Sequence, residues 1–188
     1  KYFFTHTDRP NPQDPYATSK LEAEKILKDI SFKTGLDVVI VRPPLVYGDG
    51  VKGNLDRLIK LVKLGIPLPF GMIKNERSMI GLDNLVDLLI RCIDNQNVSG
   101  KVLLVSDGID LSTPDLIKLI ANSLGYKARL FKFPIFLLKY LGLIFGKKKE
   151  ISRLIGSFKI DNSYSRELLN WSPTIKISEG IKKMVQNR

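Results

Sequence analysis

The chain has 188 residues, 44% of them hydrophobic, which suits one domain, or the larger part of one, with a sizeable core. Its net charge of +11 favours polyanions, diphosphates or an anionic membrane surface, yet the basic residues are spread along the chain with no zinc finger, RNP-type strand or basic zipper, so no nucleic-acid partner is expected. One cysteine, Cys92, excludes an internal disulfide, and with one histidine, His6, no metal site is expected.

Residues 1–13 read as an irregular leader without the charge, apolar run and cleavage site of a signal peptide, so a cytoplasmic protein is expected. Asp14 then caps and Pro15 opens a helix over 15–34 that Gly35 ends, with Leu21, Ala23, Ile26, Leu27 and Ile30 turned toward a core. Residues 37–41 form a strand whose unbroken apolar run points to a parallel sheet covered on both faces. Arg42-Pro43-Pro44 stops that strand and Gly48-Asp49-Gly50 turns the chain, the setting in which open α/β sheets place a ligand crevice.

A helix over 54–64 ends at Gly65, and 67–71 form an extended connection. Asp83 caps a helix over 84–94 with Leu85, Leu88, Leu89 and Cys92 inside, Cys92 acting as a small hydrophobe. A buried strand over 101–105 precedes a helix over 113–124 begun by Thr113-Pro114-Asp115, then a short strand over 128–132. Residues 134–145 are the most apolar segment and run into Lys147-Lys148-Lys149; they fall short of the ~20 residues that cross hydrocarbon. They read as a helix packed into a lobe or against another subunit, with peripheral membrane contact as the alternative. Helices over 150–155 and 162–169, a strand over 174–177 and a last helix from Ser178 complete the chain.

In the first helix Tyr16 and Lys20 lie one turn apart on one face. A phenol titrates near pH ~10 and is a poor base at neutrality, but an adjacent ammonium favours the phenolate, so the pair is a candidate proton acceptor for an alcohol that loses hydride. Spacing alone occurs by chance in many amphipathic helices. The wider string Pro-Gln-Asp-Pro-Tyr16-Ala-Thr-Ser-Lys20-Leu-Glu-Ala-Glu, followed by Val-Val-Ile-Val-Arg-Pro-Pro-Leu-Val-Tyr-Gly, resembles the extended short-chain dehydrogenase/reductase family in its nucleotide-sugar epimerase and dehydratase branch.

The resemblance implies an α/β fold: the C-terminal part of a doubly wound Rossmann-type parallel sheet plus a smaller mixed lobe that receives a nucleotide sugar. It implies a single partial domain, with 1–50 and about 78–106 on the Rossmann side and about 51–77 and 107–188 mainly in the substrate lobe. Tyr16 would be the base and Lys20 would bind the nicotinamide ribose, with Pro43, Pro44 and Leu45 shaping the nicotinamide end. Asn54 and the Leu55 backbone would contact the nucleotide diphosphate, Pro69 and Phe70 would pass the uracil, and Arg77 would bind diphosphate oxygens. Asn54 also reads as a plain helix cap and Arg77 as a surface charge.

The cofactor so implied is NAD, with NADP as the alternative, the small-molecule partner a UDP-sugar, and the assembly a homodimer through the Tyr-bearing helix. The implied activity is a UDP-hexose 4-epimerase in which hydride leaves and returns at C4. The alternatives are an NAD(P)H-dependent UDP-4-keto-deoxysugar reductase and a non-catalytic remnant or binding module.

The similarity corresponds to the family's C-terminal half, and its glycine-rich cofactor fingerprint has no counterpart here. Gly48-Asp-Gly50-Val-Lys-Gly53 imitates it but follows a double proline, with no βαβ unit or downstream acid evident, and is rejected. Thr5 and Thr7 stand too near Tyr16 to be the family's catalytic Ser or Thr. The 188 residues alone are therefore expected to bind NAD weakly and to be inactive. Lys159 stands near the position where many relatives carry a second phosphate-binding Arg, and Trp171 reads as packing.

Overall fold

A computed structural model describes residues 3–186, so the first two leader positions lie outside the described residues. The rest of the leader is irregular but anchored: Phe4 N–H donates to Lys159 O and Asp161 N–H to Phe4 O, both at 2.8 Å. The Phe4 ring stacks on Phe158 at 5.2 Å. Helix α1 (Pro15–Thr34) begins as its sequence requires, Asp14 Oδ1 accepting the Ala17 N–H at 2.8 Å and Gly35 closing it in the left-handed region at φ 74°.

The expected inward stripe of α1 is not buried. No residue of this helix is buried, and Ile26, Leu27 and Ile30 are 58%, 41% and 40% exposed. An amphipathic pattern shows which face wants cover, not that a layer is present to cover it, and the described residues supply none here.

Four strands, β1 (Ile40–Arg42), β2 (Leu45–Tyr47), β3 (Met79–Gly81) and β4 (Val102–Leu104), form two two-stranded parallel sheets. β1 pairs with β4, Val41 opposite Leu103, and β2 with β3, Val46 opposite Ile80. Helix α2 (Asn54–Lys63) crosses from β2 to β3, so a parallel βαβ unit does surround the Gly48–Gly53 loop, contrary to the sequence reading. Strands of three residues are too short to show a period, and pairing with a distant partner is what makes them strands.

Helix α3 (Leu82–Ile93) follows directly, with Gly81 and not Asp83 at its cap. Asn84, Leu88 and Cys92 face inward, Leu85 is half-buried and Leu89 is exposed, so the inner stripe lies to one side of the expected one. Helix α4 (Thr113–Ser123) is capped by Ser112, whose Oγ accepts the Asp115 N–H at 3.1 Å. Helices α5 (Ile135–Ile144), α6 (Lys148–Ile155), α7 (Ser163–Leu169) and α8 (Ile177–Gln186) follow. The expected strands over 128–132 and 174–177 do not form; Leu130 makes only an isolated bridge with Leu68.

Two hydrophobic clusters hold these elements. The larger packs α2, α4 and α8 around Tyr47, with Ile59, Ile117, Ile120, Ile181 and Met184 almost fully buried. The smaller joins Ile80, Leu88, Cys92, Leu103 and Val105 to Leu169 and Trp171. Each such side chain contributes about 1.5–3 kcal/mol by leaving water. Trp171 is packing, as expected, and its Nε1 donates to Asp87 Oδ2 at 2.7 Å. α5 lies against α6 through Gly142, where a Cβ would stand 2.7 Å from Ile151 Cγ1.

Candidate functional site

Tyr16 is 71% exposed in the first turn of α1, and Lys20 Nζ lies 5.7 Å from its ring centroid. The two therefore share a face, open to solvent. Glu24 continues that face one turn on and ties it to the end of β1. Its Oε1 accepts from Arg42 Nε at 2.9 Å and its Oε2 from Arg42 Nη2 at 2.5 Å. Arg42 immediately precedes Pro43, Pro44 and Leu45, so the pair ties α1, one turn beyond Lys20, to the carboxyl end of a parallel strand. A phenol and an ammonium so placed can hydrogen-bond hydroxyl groups, and the phenol could take up a proton only as its phenolate. Sequence reasoning passed over Glu24 and Arg42, although the Tyr16, Lys20, Glu24 spacing carries the signal.

Asn54 is the first residue of α2 and half-buried, and Leu55 is buried in the core. Pro69 is half-buried and Phe70 buried, in a connection pinned by Leu68 N–H to Arg129 O at 2.8 Å and Gly71 N–H to Phe131 O at 3.0 Å. Arg77 does not stand alone. Its backbone exchanges hydrogen bonds with Leu111 at 2.9 and 3.0 Å, and its Nη1 donates to the carbonyl of Arg153. Burial, and after it the positive charge of Arg153, hold the Arg77 guanidinium below its ordinary pKa, and an anion here would relieve the repulsion between the two cations. Arg153 carries no motif, and only tertiary contact brings α6 to Arg77.

Lys159 is buried between Glu76 and Asp110, 3.2 and 3.0 Å from their carboxylates, with its Nζ 4.4 Å from the Phe3 ring centroid. Its charge is already paired. Below β2 and β3 a buried network forms around Asp107. It accepts from Tyr47 OH at 2.6 Å, from Asn84 Nδ2 at 2.8 Å and from Gly81 N–H at 3.1 Å. Burial, then Asp107, push the Tyr47 phenol far above its ordinary range, so it is a fixed donor and not a base.

The Gly48–Gly53 loop is closed to a phosphate at its Gly48 end despite its βαβ setting. A Cβ at Gly48 would stand 2.6 Å from Leu82 Cβ, so this approach is filled by protein, and Asp49 and Asp83 line the adjoining cavity. His6 stacks on Tyr164 at 3.9 Å, and Thr5 and Thr7 hydroxyls bond each other at 2.9 Å.

Residues 3–106 match the NAD dependent epimerase/dehydratase family. The chain belongs to that family. A UDP-glucose 4-epimerase of Vibrio cholerae is 42% identical to it over 184 residues, 97% of this chain and 56% of that protein. A UDP-glucose 4-epimerase of Mycolicibacterium smegmatis is 28% identical over 189 residues, 97% of this chain and 55% of that protein. The family member described here thus spans about half the length of the curated relatives it matches. Among solved structures it is similar to UDP-glucuronic acid 4-epimerase from Bacillus cereus in complex with NAD, with a TM-score of 0.76 and 20% identity over 99% of this chain and 56% of that one. UDP-glucose 4-epimerase with UDP-glucose from Thermotoga maritima gives a TM-score of 0.74 at 20% identity, over 100% of this chain and 57% of that one. At such identity the likeness is one of fold, and it gives the α/β, Rossmann-type architecture expected from the sequence.

Proposed function

We propose that this chain carries the catalytic and sugar-binding part of an NAD-dependent nucleotide-sugar epimerase that acts at C4 of a UDP-hexose, and that a dinucleotide-binding half completes it. The observation that carries this reading is the open face of α1, on which Tyr16 and Lys20 stand together while Glu24 ties the helix to Arg42. Tyr16 takes the proton of the sugar hydroxyl as its carbon gives up hydride and returns that proton after the opposite face is reduced. Lys20, one turn along the same face, binds the nicotinamide ribose, and Pro43, Pro44 and Leu45 shape that end of the crevice. NAD, when bound, supplies the hydride acceptor and donor.

Arg77 and Arg153 hold the diphosphate with Asn54 and the Leu55 backbone, while Pro69 and Phe70 border the base. The 42% identity to a relative named UDP-glucose 4-epimerase supports a UDP-sugar as substrate. Exposure of Ile26, Leu27, Ile30 and Phe32 supports pairing of two copies through α1.

The test uses a protein that contains this chain and a dinucleotide-binding half, incubated with NAD and UDP-glucose or UDP-N-acetylglucosamine. The 4-epimer forms without net nicotinamide turnover, and Tyr16→Phe slows its formation by about 10²–10⁴-fold. Stoichiometric NAD(P)H oxidation with a keto-sugar overturns epimerisation in favour of reduction, and no turnover with any UDP-sugar overturns the enzymatic reading.

A further inference from the structure

We propose that α5, with the lysines around it, forms a surface that docks on an anionic lipid bilayer. Its side chains grade from buried to exposed, with Ile135 and Leu137 half-buried and Leu141 40% exposed. Leu138 and Gly142 turn inward, Gly142 onto Ile151 of α6. Phe136, Tyr140, Leu143 and Ile144, spaced as one helical face, are 69%, 60%, 60% and 58% exposed, and Phe145 extends the stripe at 71%. Five large apolar side chains in one outward stripe leave a continuous face in water, which a monomeric surface rarely tolerates.

The charge around the stripe decides its occupant. Between residues 126 and 153 the chain has eight Lys or Arg and one acid, Glu150, which already faces Lys147 at 3.8 Å and Arg57 at 3.5 Å. Lys132, Lys139, Lys148 and Lys149 are exposed and form no salt bridge among the described residues. An apolar helical face bordered by cations of one sign matches a layer with hydrocarbon below and anionic headgroups above. Lysines on flexible stems suit a diffuse sheet of charge better than a patterned acidic protein surface. Among the described residues no helix is long and apolar enough to cross a membrane, so α5 lies in the interface.

Floatation of the full chain with vesicles tests this. Vesicles of phosphatidylcholine with phosphatidylglycerol carry the protein upward, vesicles of phosphatidylcholine alone carry far less, and added salt weakens the binding. Replacing Lys147, Lys148 and Lys149 by Gln lowers partitioning by about fivefold per lysine. The variant with Phe136→Ser and Phe145→Ser loses binding while its circular dichroism and melting stay native, because both side chains are outside the core. No difference between the two vesicle types, or binding unchanged in both variants, overturns the proposal. Self-association that disappears in the Phe variant, with no vesicle binding by the parent, also overturns it and assigns the face to a second copy. The readout is independent of Tyr16, so this proposal and the epimerase reading fail separately.

Discussion

Glu24 on α1 grips Arg42 at the end of β1 through two parallel hydrogen bonds, Nε to Oε1 at 2.9 Å and Nη2 to Oε2 at 2.5 Å. The side chains are 18% and 25% exposed, so water screens the pair little. With none of its residues buried, α1 depends heavily on this tie for its placement against the sheet. Arg42→Lys keeps the charge but loses the fork, and should cost about 1–2 kcal/mol. Urea unfolding checks it as a lower midpoint at unchanged slope. In the completed enzyme the same change should lower kcat more than it raises KM, because it moves the Tyr16 face and not the diphosphate contacts.

Tyr16→Phe separates chemistry from folding. The phenol is 71% exposed, so its loss should leave stability within about 0.5 kcal/mol of the parent. Removing a proton acceptor should nonetheless cut the rate by about 10²–10⁴-fold. Thermal melting and single-turnover assay on the same preparation make the comparison. Calorimetry on the 188-residue chain alone should show no micromolar NAD affinity, since Leu82 closes the Gly48 end of the loop that imitates a cofactor turn.

The Asp107 network should be costly to break. Tyr47→Phe removes one donor from a buried carboxylate and should cost about 1–2 kcal/mol. Asp107→Ala strands the Tyr47 hydroxyl, the Gly81 N–H and one hydrogen of the Asn84 amide, which should cost about 3 kcal/mol or more. Chemical denaturation of the two variants, side by side, gives the ranking. The order Asp107→Ala, then Tyr47→Phe, then parent is the one expected.

Acid stability should respond to Asp161. Ser163, through its hydroxyl first and its backbone N–H second, holds this carboxyl below the ordinary range, with a further contribution from His6. A carboxyl whose folded pKa lies below its unfolded value of about 3.9 contributes stability above that pH and loses it as pH falls through the folded value. Melting temperature followed from pH 5 downward should fall through the acid range, and Ser163→Ala should reduce the part of the slope that begins near pH ~4.

The elements legible in the sequence are those whose cause lies within a few residues. Asp14, Pro15 and Gly35 mark both ends of α1, and a four-residue step puts Tyr16 and Lys20 on one face whatever lies around them. The Val-Val-Ile-Val run announced a parallel strand, but only Ile40 and Val41 of it lie in β1, which runs on into Arg42, where the sequence places its stop. Strands β2 and β3 were not legible, because three residues carry no period and each is a strand only by virtue of the other.

Tertiary structure alone decided the rest. Contact of α6 with residue 77 made Arg77 and Arg153 neighbours, and two carboxylates from distant segments claimed the charge of Lys159. Helical periodicity marked an apolar stripe on α1, and composition marked 134–145 as the most apolar segment, but neither showed which surface the chain would cover. Burial is a property of two surfaces, and a single segment specifies only one of them.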